Sequence, residues 1–353
     1  MPDLFNVLQL TGTVNTAIVG MTKNVGKTVT LNCLVGKFEE CAIKIGLVSA
    51  GYDGERFDRL TLKDKPRIYA PEGSLVATAK ACFDAADAEL ELLEISSLST
   101  PLGRVCLALV KKAGLVELAG PGSVSGLEVL IGKMAGFGAE HILVDGAINR
   151  IASASPLLTE ATILATGASL GPTMDDVIRK TIFRKELFDT LCPEDEGLTK
   201  AAEEALRRGN AALLTYEGVQ CEIETVTAMI PLLAGEQIIE SCSADTTALA
   251  FGGALVDKNL HDLMQRLLKP PLIIVHDATR LFITPEVYYR YKNQGGSIAV
   301  LKPINLIAVT LNPTDPAGRG YDPRIFLERM REALSPCPVY DLIYEKANIT
   351  SKG

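Results

Sequence analysis

Short aliphatic runs alternate with amphipathic stretches over much of the chain. Near the start, Asn15-Thr-Ala-Ile-Val-Gly20 is an apolar run that ends in glycine. After a glycine-containing loop, Leu31, Leu34, Val35 and Phe38 recur at helical spacing, which predicts a helix from Thr28 to Phe38. Ala42 to Ser49 is a second aliphatic run, predicted as a strand. Strand, loop, helix and strand within about 40 residues make one βαβ unit.

Further on, the pattern predicts a helix over Ser74 to Phe83 and short strands over Gly103 to Val110 and Gly114 to Ala119. A glycine-rich corner, Gly120 to Ser123, leads to a helix over Leu127 to Phe137. His141-Ile-Leu-Val-Asp-Gly146 is a strongly apolar strand ending in a carboxylate. Thr162 to Thr166 is another strand, and Asp175 to Leu191 reads as a helix with its charges on one side. Residues 193–270 start polar, hold a strand candidate at Ala211 to Tyr216 and end in a helix from Asn259 to Leu268, which suggests an insertion or cap. Regularity returns with strands at Pro271 to Asp277, Ser297 to Leu301, Leu306 to Leu311 and Pro338 to Ile343. Helices are expected between them at Pro285 to Tyr291 and Tyr321 to Leu334. No repeat or low-complexity tract interrupts this order.

Composition narrows the picture. Of 353 residues, 47% are apolar, 5% aromatic and none is Trp, so the core must rest on Leu, Ile, Val and Ala. That suits helices packed on a buried parallel sheet. The net charge is −8 with no basic block, which leaves no electrostatic footprint for nucleic acid or anionic lipid. The eight cysteines are scattered without a CxxC pair, and three histidines are too few and too far apart for an expected zinc or iron–sulfur site. The first ten residues lack a basic start and a long apolar run, and no stretch reaches the roughly 20 apolar residues of a membrane span. A cytoplasmic location is expected.

The chemistry concentrates at Gly20-Met-Thr-Lys-Asn-Val-Gly26-Lys27-Thr28, which satisfies GxxxxGK[ST] in full. Its glycines let successive backbone amides wrap a phosphate at a helix N-terminus. Gly20, Thr22, Lys23, Asn24, Val25, Gly26, Lys27, Thr28 and Val29 are therefore candidate nucleotide-binding residues. Lys27 neutralises the β- and γ-phosphate oxygens, and the Thr28 hydroxyl is placed for Mg2+. A magnesium ion needs more oxygen ligands, and strand ends near the loop offer Asp53 and Asp145. The alternative for Asp145 is a helix cap or an ordinary turn acid, and for Asp53 and Glu55 solvated loop charges. Lys23 and Arg150 either reach phosphate or face water. Asn312, ending an apolar strand before Pro313, could read a purine edge or simply start an Asn–Pro turn. His276-Asp277 reads as structural, and Ser169 lacks the setting of a hydrolase nucleophile.

The P-loop Gly20 to Thr28 resembles that of dethiobiotin synthetase and its relatives on the cobyric acid synthase and MinD-like side of the P-loop NTPases. That resemblance implies Mg2+ held by Thr28, Asp53 and Asp145, and adenine read by Asn312. The chain departs from the synthetases at Val144-Asp-Gly-Ala-Ile-Asn-Arg150, where they carry a Glu-Gly-Ala-Gly-Gly stretch, and this puts the biotin-pathway substrate in doubt. A narrower resemblance is to the ATPase subunit of the lysine 5,6-aminomutase reactivase. It is carried by Gly20 to Thr28, Gly46 to Glu55, Leu118 to Pro121, Val144 to Arg150, Ala165 to Ser169 and Val309 to Pro313. It implies an ATPase that works with a MutS-like subunit to release damaged cofactor from an adenosylcobalamin-dependent aminomutase.

The sequence thus leads to an α/β P-loop NTPase with a mostly parallel sheet flanked by helices and an inserted subregion. The core is expected at 1–192 and 271–353, with 193–270 as insertion. The expected activity is Mg-dependent hydrolysis of ATP, with Lys27 and Lys23 stabilising phosphate charge and Asp53 or Glu55 orienting the attacking water. Without a clear NKxD signature, ATP is preferred over GTP. Competing readings are an ATP-dependent ligase or small-molecule kinase, and a nucleotide-binding switch with little turnover. The chain could also self-associate.

Overall fold

A computed structural model describes the chain apart from residues 1–2, 52–66, 148–154, 156–157, 209–210, 218–219, 227–238, 243–245, 317 and 346–353. It divides into two compact units, one formed by Met1–Ile182 with Asn305–Gly353, the other by Phe183–Ile304.

The first unit opens with α1 (Leu4–Thr11), whose N-terminus is capped by the Asp3 side chain and which ends on Gly12 in the left-handed region. It continues through β1 (Asn15–Gly20), α2 (Lys27–Glu40), β2 (Ile45–Ser49), β3 (Ile68–Ala70), β4 (Leu75–Ala79), α3 (Lys80–Asp84), β5 (Glu89–Thr100), β6 (Gly103–Lys112) and β7 (Gly114–Val116). Then come α4 (Val124–Gly136), β8 (His141–Ala147), β9 (Ala161–Gly167) and α5 (Met174–Phe188), whose last turns belong to the second unit.

The second unit adds α6 (Glu196–Arg208), β10 (Ala211–Glu217), β11 (Gln220–Val226), β12 (Ala248–Phe251), β13 (Leu255–Val256), β14 (Leu272–Val275), β15 (Leu281–Phe282) and β16 (Ser297–Val300). Helices Asp257–Arg266 and Pro285–Asn293 connect its parallel strands. The chain then returns to the first unit as β17 (Leu306–Asn312), helix Pro323–Leu334 and β18 (Val339–Tyr340).

The first unit is built on a nine-stranded sheet of order β18-β17-β9-β1-β8-β2-β4-β6-β5. Strands β18 through β4 run parallel, and β6 and β5 close one edge antiparallel. Side chains of one strand alternate between two cores. Leu47 and Leu143 pack with Leu31, Leu34 and Phe38 of α2, whereas Val48, Ile142 and Val144 pack with Leu127, Leu130 and Met134 of α4. A sheet covered on both faces accounts for the unbroken aliphatic runs. This is the mixed α/β architecture expected of a P-loop NTPase.

Local pattern misjudged one segment of this sheet. The helix expected from Ser74 to Phe83 is a strand over Leu75–Ala79, and only Lys80–Asp84 is helical. Pairing on both sides, Leu47↔Val76 and Val76↔Ala108, overrides the propensity of its Ala-rich sequence.

The second unit has its own five-stranded sheet, β11-β10-β12-β14-β16, in which β12, β14 and β16 are parallel. Leu198, Ala202 and Ala205 of α6 pack on Ala248, Ala250 and Ile274. The unit is therefore wider than the insertion expected at 193–270. Strands β14 and β16, expected to close the NTPase core, are hydrogen-bonded into this second sheet instead.

Candidate functional site

The first unit gathers its chemistry at the carboxyl ends of β1, β8, β9 and β17. Strand β1 lies between β8 and β9, and its last residue, Gly20, pairs with Ala147 on one side and Ala165 on the other. The loop that follows is held to β9 by a hydrogen bond from the Met21 amide to the Ala165 carbonyl at 2.9 Å. Val25 is buried beneath it, while Thr22, Lys23 and Asn24 are exposed. The turn needs left-handed backbone twice, at Asn24 (φ 62) and at Gly26 (φ 87). Asn tolerates that region through its short polar side chain, and glycine adopts it without steric cost.

Gly26 is the N-cap of α2, with no side chain capping the first turn. The free amides of that turn and the helix dipole favour an anion at this end. Thr30, one turn in, donates or accepts a 2.8 Å hydrogen bond with Thr310 of β17, which pins the helix to the sheet.

Lys27 Nζ stands 2.9 Å from Asp145 Oδ1, with side-chain exposures of 22% and 20%. Lys27 opens α2, whereas Asp145 lies in β8, where it pairs with Ile18 of β1 and Ser49 of β2. Its Oδ1 is shut from solvent and accepts no hydrogen bond, so the lysine contact is a charge contact lying off the hydrogen-bonding direction. Thr28 is half-buried in the same first turn of α2. A hard divalent cation takes oxygen ligands, and the buried Asp145 oxygen without a hydrogen-bond donor is one of that kind, as is the hydroxyl of Thr28, the residue after Lys27. These residues therefore fit Mg2+. No group of three or more His, Cys, Asp or Glu capable of holding a metal occurs among the described residues, so the carboxylate and the hydroxyl stand without a pre-built cluster.

Asn312 comes to this site from the far end of the chain. Its Nδ2 donates to the Asn24 carbonyl at 2.8 Å, and its Oδ1 accepts from the Thr314 amide at 3.2 Å and hydroxyl at 3.0 Å. Its Cβ would stand 3.1 Å from a side chain placed on Gly26. The amide is thus committed at both ends, its nitrogen to the Gly20–Thr28 loop and its oxygen to Thr314, and reading a purine edge would require it to give up these bonds. Pattern reasoning singled out Asn312 but not this use, nor Thr30, Thr310 and Thr314, whose hydroxyls carry no signal at the level of spacing.

Beside β2 the backbone is crowded. A Cβ on Gly120 would fall 1.7 Å from the Ser49 carbonyl oxygen, so a glycine is needed at 120 for chain to pass chain. Lys23 is exposed and engaged in an interaction within the chain. Asp53, Glu55 and Arg150 lie outside the described residues. Ser169, just past the end of β9, has a hydroxyl that is buried without a hydrogen-bond partner.

Away from the phosphate loop, His141 at the start of β8 stacks on Phe38 with centroids 4.7 Å apart, and its Nε2 is 3.0 Å from the Thr16 hydroxyl. Burial pushes its pKa down to about 4, so it is a neutral core residue at physiological pH. The seven described cysteines are free thiols. No helix among the described residues is long and apolar enough to cross a membrane.

No protein-family model matches the chain, and no curated protein matches it. Among solved structures it is similar to the signal recognition particle receptor FtsY from Elizabethkingia anophelis, at 10% identity, with 90% of this chain covered and a TM-score of 0.27. The chain spans 65% of the length of that structure. A superposition this loose carries no argument about chemistry, which rests on the chain's own residues.

Proposed function

We propose that the first unit binds a nucleoside triphosphate, ATP in preference to GTP, together with Mg2+, and hydrolyses it. The observation that carries this reading is the Lys27–Asp145 contact at 2.9 Å beneath a glycine-capped helix N-terminus. A lysine suited to phosphate beside a carboxylate suited to metal is what the motif's chemistry calls for, and this supports the reading. The loop amides and the α2 dipole bind the β-phosphate, and Lys27 turns from Asp145 to the β- and γ-oxygens. Thr28 and Asp145 would hold Mg2+, with Asp53 as a further ligand by its position after β2. When bound, the ion neutralises charge on the phosphates. Lys23 adds positive charge where the γ-phosphoryl group departs, and Asp53 or Glu55 orients the attacking water.

The client is inferred from the sequence blocks that resemble the aminomutase reactivase. In that reading, hydrolysis drives a conformational change in a MutS-like partner, and damaged cofactor leaves an adenosylcobalamin-dependent aminomutase. The separately folded second unit supplies a body that such a machine can use.

The test is Mg-dependent phosphate release from purified protein, wild type against Lys27→Ala, with ATP and with GTP. Each is measured alone, with a metabolite panel, and with a MutS-like protein and aminomutase. Stimulation by the proteins that disappears with Lys27→Ala is the expected result. Stimulation by a metabolite instead would replace the reactivase with a ligase or kinase. Absence of nucleotide binding to the wild type would refute the P-loop reading itself.

A further inference from the structure

We propose that the second unit carries an oxyanion-binding site centred on the Arg184 guanidinium, which takes the carboxylate or phosphate group of a small metabolite. The site is separate from the phosphate loop and does not depend on the nucleotide reading.

The starting point is a cation without a counter-ion. Arg184 projects from the last turns of α5, and its Nε is buried with no hydrogen-bond partner. Its Nη1 makes one long hydrogen bond, 3.5 Å to the Leu281 carbonyl, and its guanidinium carbon stands 6.0 Å from the centroid of the Phe188 ring. No carboxylate pairs with it among the described residues. The acids next to it in the chain are already engaged: Asp189, just past α5, by Lys185, and Glu186 of α5 by the Tyr289 hydroxyl and by Lys292 at 3.8 Å. Burial alone lowers the pKa of Arg184, with no negative charge opposing the shift. A guanidinium has five N–H donors, and leaving the buried Nε–H without an acceptor is costly unless a ligand supplies one.

Topology gives an independent reason for a ligand here. Leu281 belongs to β15, which pairs with β13 through Leu255↔Leu281. β13 follows the carboxyl end of β12 through Gly252 and Gly253, and β15 follows the carboxyl end of β14 through His276 and Asp277. The β13–β15 ladder therefore lies beyond the carboxyl ends of adjacent parallel strands, the side on which open α/β sheets hold their ligands. A planar guanidinium whose ring neighbour is apolar, on that edge, matches bidentate recognition of a carboxylate or phosphate.

The test uses the full chain carrying Lys27→Ala, so that the phosphate loop does not compete for anions. Inorganic phosphate and succinate are titrated by calorimetry, and melting temperature is followed against each. Saturable binding of either probe is expected, with the stronger one telling phosphate from carboxylate chemistry. Arg184→Met should weaken that binding roughly tenfold or more, because hydrogen bonds to a charged group are lost. In anion-free buffer the same variant should melt no lower than its parent, since it removes an uncompensated charge. Should Arg184→Met not fold, Arg184→Lys keeps the charge, loses the fork and should still weaken binding roughly tenfold. Failure of both probes to bind, or equal affinity in parent and variant, overturns the proposal.

Discussion

Replacing Asp145 with Asn separates the two jobs assigned to that carboxylate, holding Lys27 before nucleotide arrives and holding metal afterwards. At 2.9 Å, with about a fifth of each side chain exposed, the pair has a gross Coulomb attraction of about 6 kcal/mol at an effective dielectric of 20. Desolvation and competing water cancel most of this, leaving about 1 kcal/mol for a partly exposed pair. A triphosphate arriving without Mg2+ must break that contact and approach a negative charge. Asp145→Asn removes both obstacles, so Mg-free affinity should rise about fivefold. With Mg2+ the sign reverses. Loss of a charged oxygen ligand costs roughly 1.5–3 kcal/mol, so the gain in affinity from Mg2+ should shrink by roughly 10- to 150-fold. Titration of a fluorescent nucleotide with EDTA and with Mg2+, on folded wild type and variant, reads both arms. If the variant binds nucleotide no better than wild type in EDTA, Lys27 is not restrained by Asp145 in solution and the reasoning fails.

Three further outcomes are expected. Asn312→Ala removes the bond to the Asn24 carbonyl and the acceptor for Thr314, so it should weaken ATP and GTP in equal proportion by several-fold at about 1 kcal/mol per bond. A loss confined to ATP, in the same titrations, would show that the amide reads the base. Gly120→Ala places a Cβ 1.7 Å from the Ser49 carbonyl oxygen, a clash between backbones that no rotamer relieves, and should cost about 3 kcal/mol or more by urea denaturation. His141 has a folded pKa of about 4 against an unfolded value near 6.5. Its neutral form is the stable one in the core, so stability is full above the unfolded pKa and is lost as pH falls through that window. The loss attributable to this one group approaches about 3 kcal/mol below the folded pKa, and His141→Phe should flatten the fall in melting temperature between the two pKa values.

What could be read from the chain depended on the distance over which each feature is decided. The strand–loop–helix around Gly20 to Thr28 was legible because it is contiguous: Gly26, Lys27 and Thr28 sit on one turn, and the strand and helix flanking them are local patterns. The strand that carries Asp145 was legible for a related reason, as a local aliphatic run, though β8 continues past the carboxylate to Ala147. Strand β4, expected as a helix, shows the opposite case. Ser74 to Phe83 has good helix formers, and only pairing with β2 and β6, more than twenty residues away on either side, makes it a strand. The same holds for the boundary of the second unit. Strand β14 looks like any other buried parallel strand, and nothing in Leu272-Ile-Ile-Val275 says which of two sheets it joins.

Asn312 joins the two cases. Its identity was legible, because an Asn before Pro at a strand end is a short pattern, while its use was not. The decisive bond reaches the Asn24 carbonyl across 288 positions of sequence. That bond exists because β17 lies next to β9, which lies next to β1, so three strands far apart in the chain end side by side. The second unit is inserted between β9 and β17, whose register shifts between Leu306 and Ala308 and then runs unbroken, Val309 opposite Leu164 and Asn312 opposite Gly167. The site tolerates so large an insertion because the parallel ladder of β9 and β17, rather than the connecting chain, sets where Asn312 meets the phosphate loop. Changes within the second unit that leave this ladder intact should therefore spare the geometry around Gly26, whereas a register shift of β17 by one residue would move Asn312 to the other face of the sheet and free the loop.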